Sequence, residues 1–355
     1  MEESFPMTGG DGPYSYAKNS NRQKEAAESA KAMLVAAITE NLEINKHNIC
    51  PISNSFRIAD FGCSTGPNTF IAVDTIIEAV CKTYHESTFV HNPEFHVFFS
   101  DHVSNDFNFL FTNLPKDRSY FAAGVPGSFH NKLFPRASLN LAYSSHALQW
   151  LSKTPVEVTN PSSPAFNKGK IFYAKAVEQV CEAYKRQHEE DLASFFGARS
   201  EELAPGGLVA ILMSGREDES SPSQVSLGPL FEPLESTLIE MANEGIISQE
   251  KLDSFNLPIF SPSPKEIKKI IQKNGCFEIL RLEVQPRTLH PMITLQQCRA
   301  GFENIIIKHF DDNNNDNVII EQLFDRYSKK IGGYSPISED DKTMAIGLFL
   351  LLKRR

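Results

Sequence analysis

The segment FRIADFGCSTGPNTF at residues 56–70 constrains the fold more than any other stretch of this sequence. Apolar residues typical of a buried strand run into Asp60, and Gly62 and Gly66 follow where the chain must turn. The next residues, TFIAVDTIIEAVCKTY, have the periodicity of a helix. A strand, a glycine-containing turn and a helix in this order predict one unit of an α/β fold, with a carboxylate near the end of the strand.

The same alternation of strands and helices continues along the chain. EFHVFFSD (94–101), SLNLAYSS (138–145) and LVAILMSG are predicted strands, and HALQWLS is a predicted short helix. We expect a long helix over roughly 172–196 and an earlier amphipathic helix capped by Ser20 or Asn21. Strands that alternate with helices predict an α/β fold with a mainly parallel sheet and helices on both faces.

The alternation of strands and helices ends after residue 215, where predicted helices and loops dominate. CFEILRLEVQ (276–285) and the apolar C-terminal TMAIGLFLLLK are predicted to complete the sheet. We expect the intervening helices to cover the carboxyl ends of the strands, where ligands bind in open α/β sheets. The predicted divisions are an N-terminal arm (1–25), a core (26–215, 276–285 and 341–355) and a helical cap (216–275 and 286–340).

Charge and composition disfavour several classes of function. The formal net charge is -9 and the sequence has no dense Lys/Arg block, which disfavours nucleic acid and anionic membranes as partners. The N-terminus lacks a secretory pattern, and the longest apolar run is too short to span a bilayer. Six scattered cysteines without a CxxC pair predict reduced thiols in a cytoplasmic protein.

The acids at the strand ends suggest a small ligand of nucleoside type. Asp60 can accept a hydrogen bond from an amino group or a hydroxyl, and Asp101, at the end of the next predicted strand, is placed for a ribose diol. The Gly62–Gly66 spacing is not the dinucleotide-binding Gly-x-Gly-x-x-Gly pattern, and no phosphate-binding Gly-Lys-Ser/Thr follows. The alternative is a structural junction in which Asp60 only caps the turn.

Eight motifs, in this order along the chain, give a more specific indication. They are YSYAKNSNRQ, IADFGCSTGPNT, SDHVSNDFNFLF, GVPGSFHNKLFP, YSSHALQWLSK, FNKGKIF, APGGLVAILMSGR and EGIISQEKLDSFNLPIFSPSPKEI. Over nearly its whole length the chain resembles the plant SABATH methyltransferases, which methylate small carboxylic acids and some ring nitrogens. The resemblance implies a Rossmann-like class I methyltransferase core with an α-helical cap, S-adenosylmethionine (SAM) as methyl donor, and a homodimer.

The resemblance also assigns roles to individual residues. Gln23 and Trp150 fall where carboxylate-methylating members hold the acceptor carboxylate, and Phe129 falls beside the adenine. The positions that would hold SAM are Tyr16, Asp60, Gly62, Cys63, Asn68, Asp101, His102, Ser128, Phe129 and Ser145. The family's divalent ion, Mg²⁺, would lie near Asn167, Asp253, the backbone of Phe255, and Asn256. Such oxygen ligands suit a hard cation, with a structural role.

Two positions depart from the family pattern. His102 stands beside the predicted adenosine site in place of an aliphatic residue, and His146 and Gln149 replace Tyr and Met of salicylate- and jasmonate-type members. If Ser145 caps a helix, His146, Gln149 and Trp150 share one helix face. Polar groups on that face favour an acceptor with polar edges over salicylate. The alternative is that His146 is a buried structural histidine.

Three functions remain open from the sequence. A carboxyl O-methyltransferase needs no catalytic base, because its acceptor is already ionised at neutral pH. A ring N-methyltransferase acting on a xanthine or nicotinate would use His146 as the base. A non-catalytic ligand-binding protein could share the fold. An NAD-dependent dehydrogenase is more distant, since the phosphate-binding glycines are absent.

Overall fold

A seven-stranded sheet lies at the centre of the structure, a computed structural model. It describes residues 5–43, 55–86, 92–224, 228–285, 294–310, 317–332 and 346–355. Within these residues the strands are β1 (Ser55–Phe61), β2 (Glu94–Asp101), β3 (Tyr120–Pro126), β4 (Leu139–Ser145), β5 (Leu203–Gly215), β6 (Phe277–Val284) and β7 (Ile346–Arg354).

Helices pack on both faces of the sheet, and further helices form a separate cluster. In the described ranges they are α1 (Tyr16–Asn19), α2 (Asn21–Asn41), α3 (Pro67–Glu86), α4 (Phe107–Thr112), α5 (Val156–Thr159), α6 (Glu178–Glu202), α7 (Gly228–Asn243), α8 (Gln249–Ser254), α9 (Pro264–Asn274), α10 (Leu295–Phe310) and α11 (Asn317–Ile331), with a 3-10 helix at Pro222–Gln224.

The strand order is β3-β2-β1-β4-β5-β7-β6. Strands β1 to β5 are mutually parallel, and β7 runs antiparallel to both of its neighbours. The order reverses between β1 and β4, so their carboxyl ends flank a topological switch point, the usual ligand crevice of such sheets. The predicted α/β class and mainly parallel sheet are confirmed.

Alternating side chains of the strands feed two hydrophobic clusters, one on each face of the sheet. On β1, Ile58 packs with α2 and α3, whereas Ala59 and Phe61 pack with α6 and α9. This is the period of two that a strand buried on both faces requires. The sheet is thereby packed on both faces.

A third hydrophobic cluster forms the cap. It joins α7, α8, α10 and α11 through side chains such as Leu238, Ile306 and Leu323. Helix α9 lies within the predicted cap range, but its buried isoleucines pack with the core cluster around β5 and β7. The bounds of core and cap stay a prediction, and residues 341–345 of the predicted core lie outside the described residues.

The predicted secondary structure differs from the observed one at three local elements. Strand β3 was not predicted, because YFAAGVP at the sheet edge has no clear alternation. The predicted helix HALQWLS is wrong: the segment turns directly after β4, and His146 has a left-handed backbone (φ 53°). The long helix begins at Glu178, not near 172, because turns occupy 171–176 and Lys175 is also left-handed.

Two expectations from composition, on the cysteines and on membrane-spanning segments, can be compared with the structure. All five cysteines in the described residues are free thiols, and Cys50 lies outside them. A membrane-spanning helix is absent from the described ranges, where none combines the required length with sufficient apolar character.

Candidate active site

Two buried carboxylates lie at the carboxyl ends of the adjacent strands β1 and β2. The Thr69 hydroxyl donates a hydrogen bond to Asp60 Oδ2. Each oxygen of Asp101 accepts a backbone N–H at 2.7 Å, Oδ2 from Ser64 and Oδ1 from His102. Asp60 and Asp101 are 3% and 8% exposed, so both carboxylates are held in fixed orientations away from bulk water.

Burial makes these carboxylates favour a cationic ligand. Burial raises the pKa of Asp60 to about 7, and the charge of Asp101 adds to the effect. Burial also raises the pKa of Asp101, partly offset by its backbone hydrogen bonds. The pKa of the Tyr16 phenol is raised by burial and by the two carboxylates, which places this side chain beside them. A ligand with positive charge or hydroxyl donors would compensate the cost of burying the carboxylates.

Gly62 allows the turn after β1 to approach the segment after β4. Its φ is 84°, and a Cβ added there would lie 2.2 Å from the Cβ of Ala147. A side chain is therefore excluded at Gly62 both by conformation and by space. The contact brings the turn that follows Asp60 against the segment that carries His146, Gln149 and Trp150.

Three buried polar atoms near this turn have no hydrogen-bond partner among the described residues. They are Ser64 Oγ, Thr65 Oγ1 and Asn105 Oδ1. Asn105 Nδ2 donates to the Ser64 carbonyl at 3.1 Å, so two of these side chains are neighbours. Buried polar atoms in native proteins are nearly always satisfied, and a polar ligand would satisfy these. The sequence analysis did not predict these three residues; the only signal was the position of Ser64 and Thr65 between Gly62 and Gly66, and Asn105 had none.

The loop after β3 provides an apolar surface beside Asp101. The Gly127 N–H donates to the Asp101 carbonyl at 2.9 Å. Phe129 follows Ser128 and is 6% exposed, with its ring 6.2 Å from Phe195 and 6.4 Å from His102 between centroids. The predicted cofactor-binding residues Ser128, Phe129 and His102 are thus adjacent to the predicted ribose-binding carboxylate.

The N-terminal arm packs against the turn that follows β1. Asn68 Nδ2 donates to both the hydroxyl and the carbonyl of Ser20, at 3.0 and 3.2 Å. Ser20 therefore holds Asn68, although its side chain makes no capping bond to α2. At the other end of the arm, the Thr8 N–H donates to the Ala300 carbonyl of α10 at 3.0 Å. The predicted cofactor residues Tyr16 and Asn68 both lie where this arm meets the turn.

The segment after β4 faces the cap. Trp150 packs between Phe5 and Phe302, at centroid distances of 6.3 and 5.6 Å, and pairs with Ile259 in an isolated antiparallel bridge. Gln149 Nε2 donates to the His146 carbonyl at 2.7 Å, and its buried Oε1 has no partner within the described ranges. The helix-face argument for His146, Gln149 and Trp150 is wrong, since these residues lie in a turn, but they remain together.

The remaining predicted residues lie around this centre. Ser145 ends β4, and Gln23 is half-buried on the first turns of α2. Cys63 is buried, and burial together with the two carboxylates raises the pKa of its thiol. The thiol is therefore neutral and unsuited to act as a nucleophile. The roles assigned to these side chains stay predictions.

Two of the residues predicted for Mg²⁺, Asn167 and Asn256, bond to each other. Asn167 Nδ2 donates to Asn256 Oδ1 at 2.7 Å and to the Phe172 carbonyl, and Asp253 Oδ1 accepts from the Gly169 N–H and from Gln249. Phe255 follows the end of α8, buried against α10. Asn256 Oδ1 is thus occupied by the Asn167 amide, and the ligation of Mg²⁺ by these residues stays a prediction.

Comparison with known proteins gives a consistent result. The family model for SAM-dependent carboxyl methyltransferases matches residues 2–355. Loganic acid O-methyltransferase from Catharanthus roseus is 42% identical over 362 residues, covering 99% of this chain and 95% of that protein. Paraxanthine methyltransferase 2 from Arabidopsis thaliana is 40% identical over 286 residues, covering 79% of each. The solved structure of loganic acid methyltransferase with SAH matches with a TM-score of 0.89 at 40% identity, covering 99% of both chains. This chain belongs to the SABATH family of SAM-dependent carboxyl methyltransferases.

Proposed function

We propose that this methyltransferase transfers the methyl group of SAM to the carboxylate of a small carboxylic acid, forming a methyl ester. The observation that carries the proposal is the pair of buried carboxylates, Asp60 and Asp101, at the switch point, with the Trp150 segment packed against the same turn through Gly62. The carboxylates suit the charged and hydroxyl groups of SAM, and Phe129 suits an adenine face. When bound, SAM supplies an electrophilic methyl carbon on a positively charged sulfur.

The chain's own task is to place the acceptor. A carboxylic acid has a pKa of about 4 and is ionised at neutral pH, so no residue has to remove a proton. The Gln23 amide and the Trp150 indole N–H would hold the acceptor oxygens. Phe5 and Phe302 pack on the Trp150 ring and help to exclude water. Correct placement alone can lower a reaction barrier by roughly 7–11 kcal/mol.

Gln149 favours an acid that also carries a hydrogen-bond donor. Its Oε1 is buried and has no partner in the described part of the chain, while its Nε2 is fixed by the His146 carbonyl. A hydroxyl group on the acceptor would satisfy this oxygen, whereas a fully apolar acid would leave it unsatisfied, at a cost of about 1–3 kcal/mol. We therefore infer a hydroxylated acid as the preferred substrate class, in line with the polar-edged acceptor expected from the sequence.

Methylation of a ring nitrogen is the second candidate. It is supported by the similarity to paraxanthine methyltransferase 2 and by His146, which lies in the Trp150 segment. Transfer of labelled methyl from SAM to a panel of hydroxylated acids, apolar acids and xanthines distinguishes the two. We expect label in hydroxylated acids that is released by mild alkali, as a methyl ester requires. Alkali-stable label in a xanthine would contradict the proposal.

Trp150→Phe tests the acceptor contact itself. Phenylalanine preserves the packing on Phe5 and Phe302 but removes the N–H donor. Loss of a hydrogen bond to a charged group costs about 1.5–3 kcal/mol, so we expect kcat/KM for the acid to fall roughly 10- to 150-fold. The Kd for S-adenosylhomocysteine (SAH) should not change. Phe121→Ala, on the exposed face of β3, is the control with wild-type activity. Unchanged kcat/KM in Trp150→Phe would remove Trp150 from the acceptor site.

Further properties rest on the family resemblance alone. We propose a cytoplasmic homodimer; light scattering of the purified chain tests the dimer, and microscopy of a tagged chain tests the location. The resemblance also supports a structural Mg²⁺, against which the bonded Asn167–Asn256 pair stands. Activity and thermal stability that survive a chelating agent would exclude a required ion.

A further inference from the structure

One face of α6 carries two buried polar pairs with the same spacing. His188 and Asp191 form the first pair, and Arg199 and Glu202 the second. Each pair is separated by three residues, and the pairs are eleven residues apart, about three helical turns. All four side chains therefore point toward the same side of the helix, and none is more than 6% exposed.

The second pair holds the loop that carries Phe129. Arg199 donates to the carbonyls of Phe129 and Asn131, at 2.7 and 3.0 Å, and its Nε bonds to Glu202 at 2.7 Å. Glu202 Oε1 accepts the N–H groups of Leu133 and Phe134, at 2.5 and 2.9 Å. Residues 129–134 of the loop between β3 and β4 are therefore fixed by one ion pair.

Because burying this ion pair is costly, we infer a role in selecting a conformation besides any contribution to stability. The Arg199 guanidinium lies 4.0 Å from the centroid of the Phe61 ring and 4.9 Å from that of Phe195. Buried ion pairs are seldom more stabilising than apolar residues of the same volume, but they demand one specific arrangement of partners. Here the partners are backbone groups of the Phe129 loop, so the pair selects one conformation of that loop.

The first pair holds the segment that carries Gln149 and Trp150. The His188 Nε2 lies 3.2 Å from the Leu148 carbonyl. Burial lowers the pKa of His188 to about 4, so a neutral imidazole donates this bond. Asp191 accepts the N–H and the hydroxyl of Ser152, at 2.8 and 2.7 Å. The segment is thus anchored on each side of Gln149 and Trp150.

We propose that α6 positions the two halves of the active site through separate side-chain pairs: Arg199 and Glu202 fix the cofactor loop, and His188 and Asp191 fix the acceptor segment. The four are positioning residues, since they act through the loops they hold. The inference rests on the proposed function of those loops. It assigns to one helix the alignment of donor and acceptor that an in-line methyl transfer needs.

The test separates the two pairs in the full-length enzyme. We expect Arg199→Met to raise the Kd for SAH and the KM for SAM at least 10-fold while the acceptor KM stays within about 2-fold. Asp191→Asn places an amide opposite the two Ser152 donors, and we expect it to raise the acceptor KM at least 10-fold with an unchanged SAH Kd. His188→Gln, which keeps a donor toward Leu148, should retain more activity than His188→Leu. Arg186→Met removes an exposed ion pair of the same helix and is the control.

Fluorescence gives a readout that does not depend on turnover. Trp150 is the only tryptophan of the chain, so emission reports on the acceptor segment alone. We expect a red shift in Asp191→Asn and wild-type emission in Arg199→Met. If Arg199→Met does not fold, Arg199→Lys and Glu202→Gln provide the same comparison. The inference would be overturned if variants of both pairs changed the Kd for SAH and the KM for the acceptor equally. A shifted emission in Arg199→Met would also overturn it. If the wild-type chain binds no SAH while Asp191→Asn alone shifts the emission, the proposed function is contradicted and the inference about α6 is not.

Discussion

Among single residues, Asp60 is a buried carboxylate whose pKa lies well above its ordinary value. Its pKa in the folded chain is raised to about 7 by burial, with a smaller effect of the Asp101 charge. An unfolded Asp has a pKa of about 3.9. Between these values the folded chain binds more protons than the unfolded chain, so the contribution of this group to stability decreases as the pH rises from about 4 to 7.

We therefore predict that SAH binding releases protons. The ligand's ammonium group favours the ionised form of Asp60, so the affinity should fall as the pH is lowered from 8 to 6. Calorimetry in two buffers of different ionisation enthalpy measures the release, which should approach one proton per site at pH 6. Asp60→Asn is the control without release. A Kd that is constant from pH 6 to 8 would show that Asp60 does not ionise on binding.

The same residue should show a conflict between stability and function. Asp60→Asn retains an acceptor for the Thr69 hydroxyl and removes the buried charge. We predict that at pH 8 it raises the free energy of unfolding by on the order of 2 kcal/mol and weakens SAH binding at least tenfold. Urea unfolding at pH 5 and pH 8 measures the first effect, which should be smaller at pH 5. Destabilisation at pH 8 would contradict the assigned cost of this carboxylate.

At the scale of elements, the turn after β1 is defined by one glycine. Gly62→Ala would place a methyl group against Ala147, whereas Gly245, with φ 74°, has no atom within 4 Å of an added Cβ. We predict that Gly245→Ala costs about 1–2 kcal/mol for the left-handed backbone alone. Gly62→Ala should cost about 1–3 kcal/mol more because of overpacking. Urea unfolding measures both variants, and equal costs would mean that the contact with Ala147 relaxes freely.

Some of these elements could be predicted from the sequence, and others could not. The strand, turn and helix around Asp60 were predictable, because their apolar spacing and glycines are local features. The turn at His146 was not, because the backbone bonds that fix it come from distant residues: Leu151 donates to Pro258, and Phe260 donates to Gln149. The polar face of α6 was equally hidden, since the partners of Arg199 lie about 70 residues earlier in the chain.

At the scale of the whole molecule, the N-terminal arm joins the cap to the core. It bonds to α10 through Thr8 and to the turn after β1 through Ser20 and Asn68. We predict that Asn68→Ala, which removes both hydrogen bonds to Ser20, raises the SAH Kd about fivefold, equivalent to about 1 kcal/mol. Calorimetry measures it, with Asn113→Ala on the exposed end of α4 as the control. An unchanged Kd would separate the arm from cofactor binding.

The central claim is that the carboxyl edge of β1, β2 and β4 binds the donor and aligns an acid with it. The most direct measurement is a crystal structure of this chain with SAH and a hydroxylated carboxylic acid. We predict ribose hydroxyls within hydrogen-bond distance of Asp101, adenine against Phe129, and the acid carboxylate between Gln23, Trp150 and the sulfur. A nucleoside bound elsewhere, or a carboxylate turned away from the sulfur, would contradict the account.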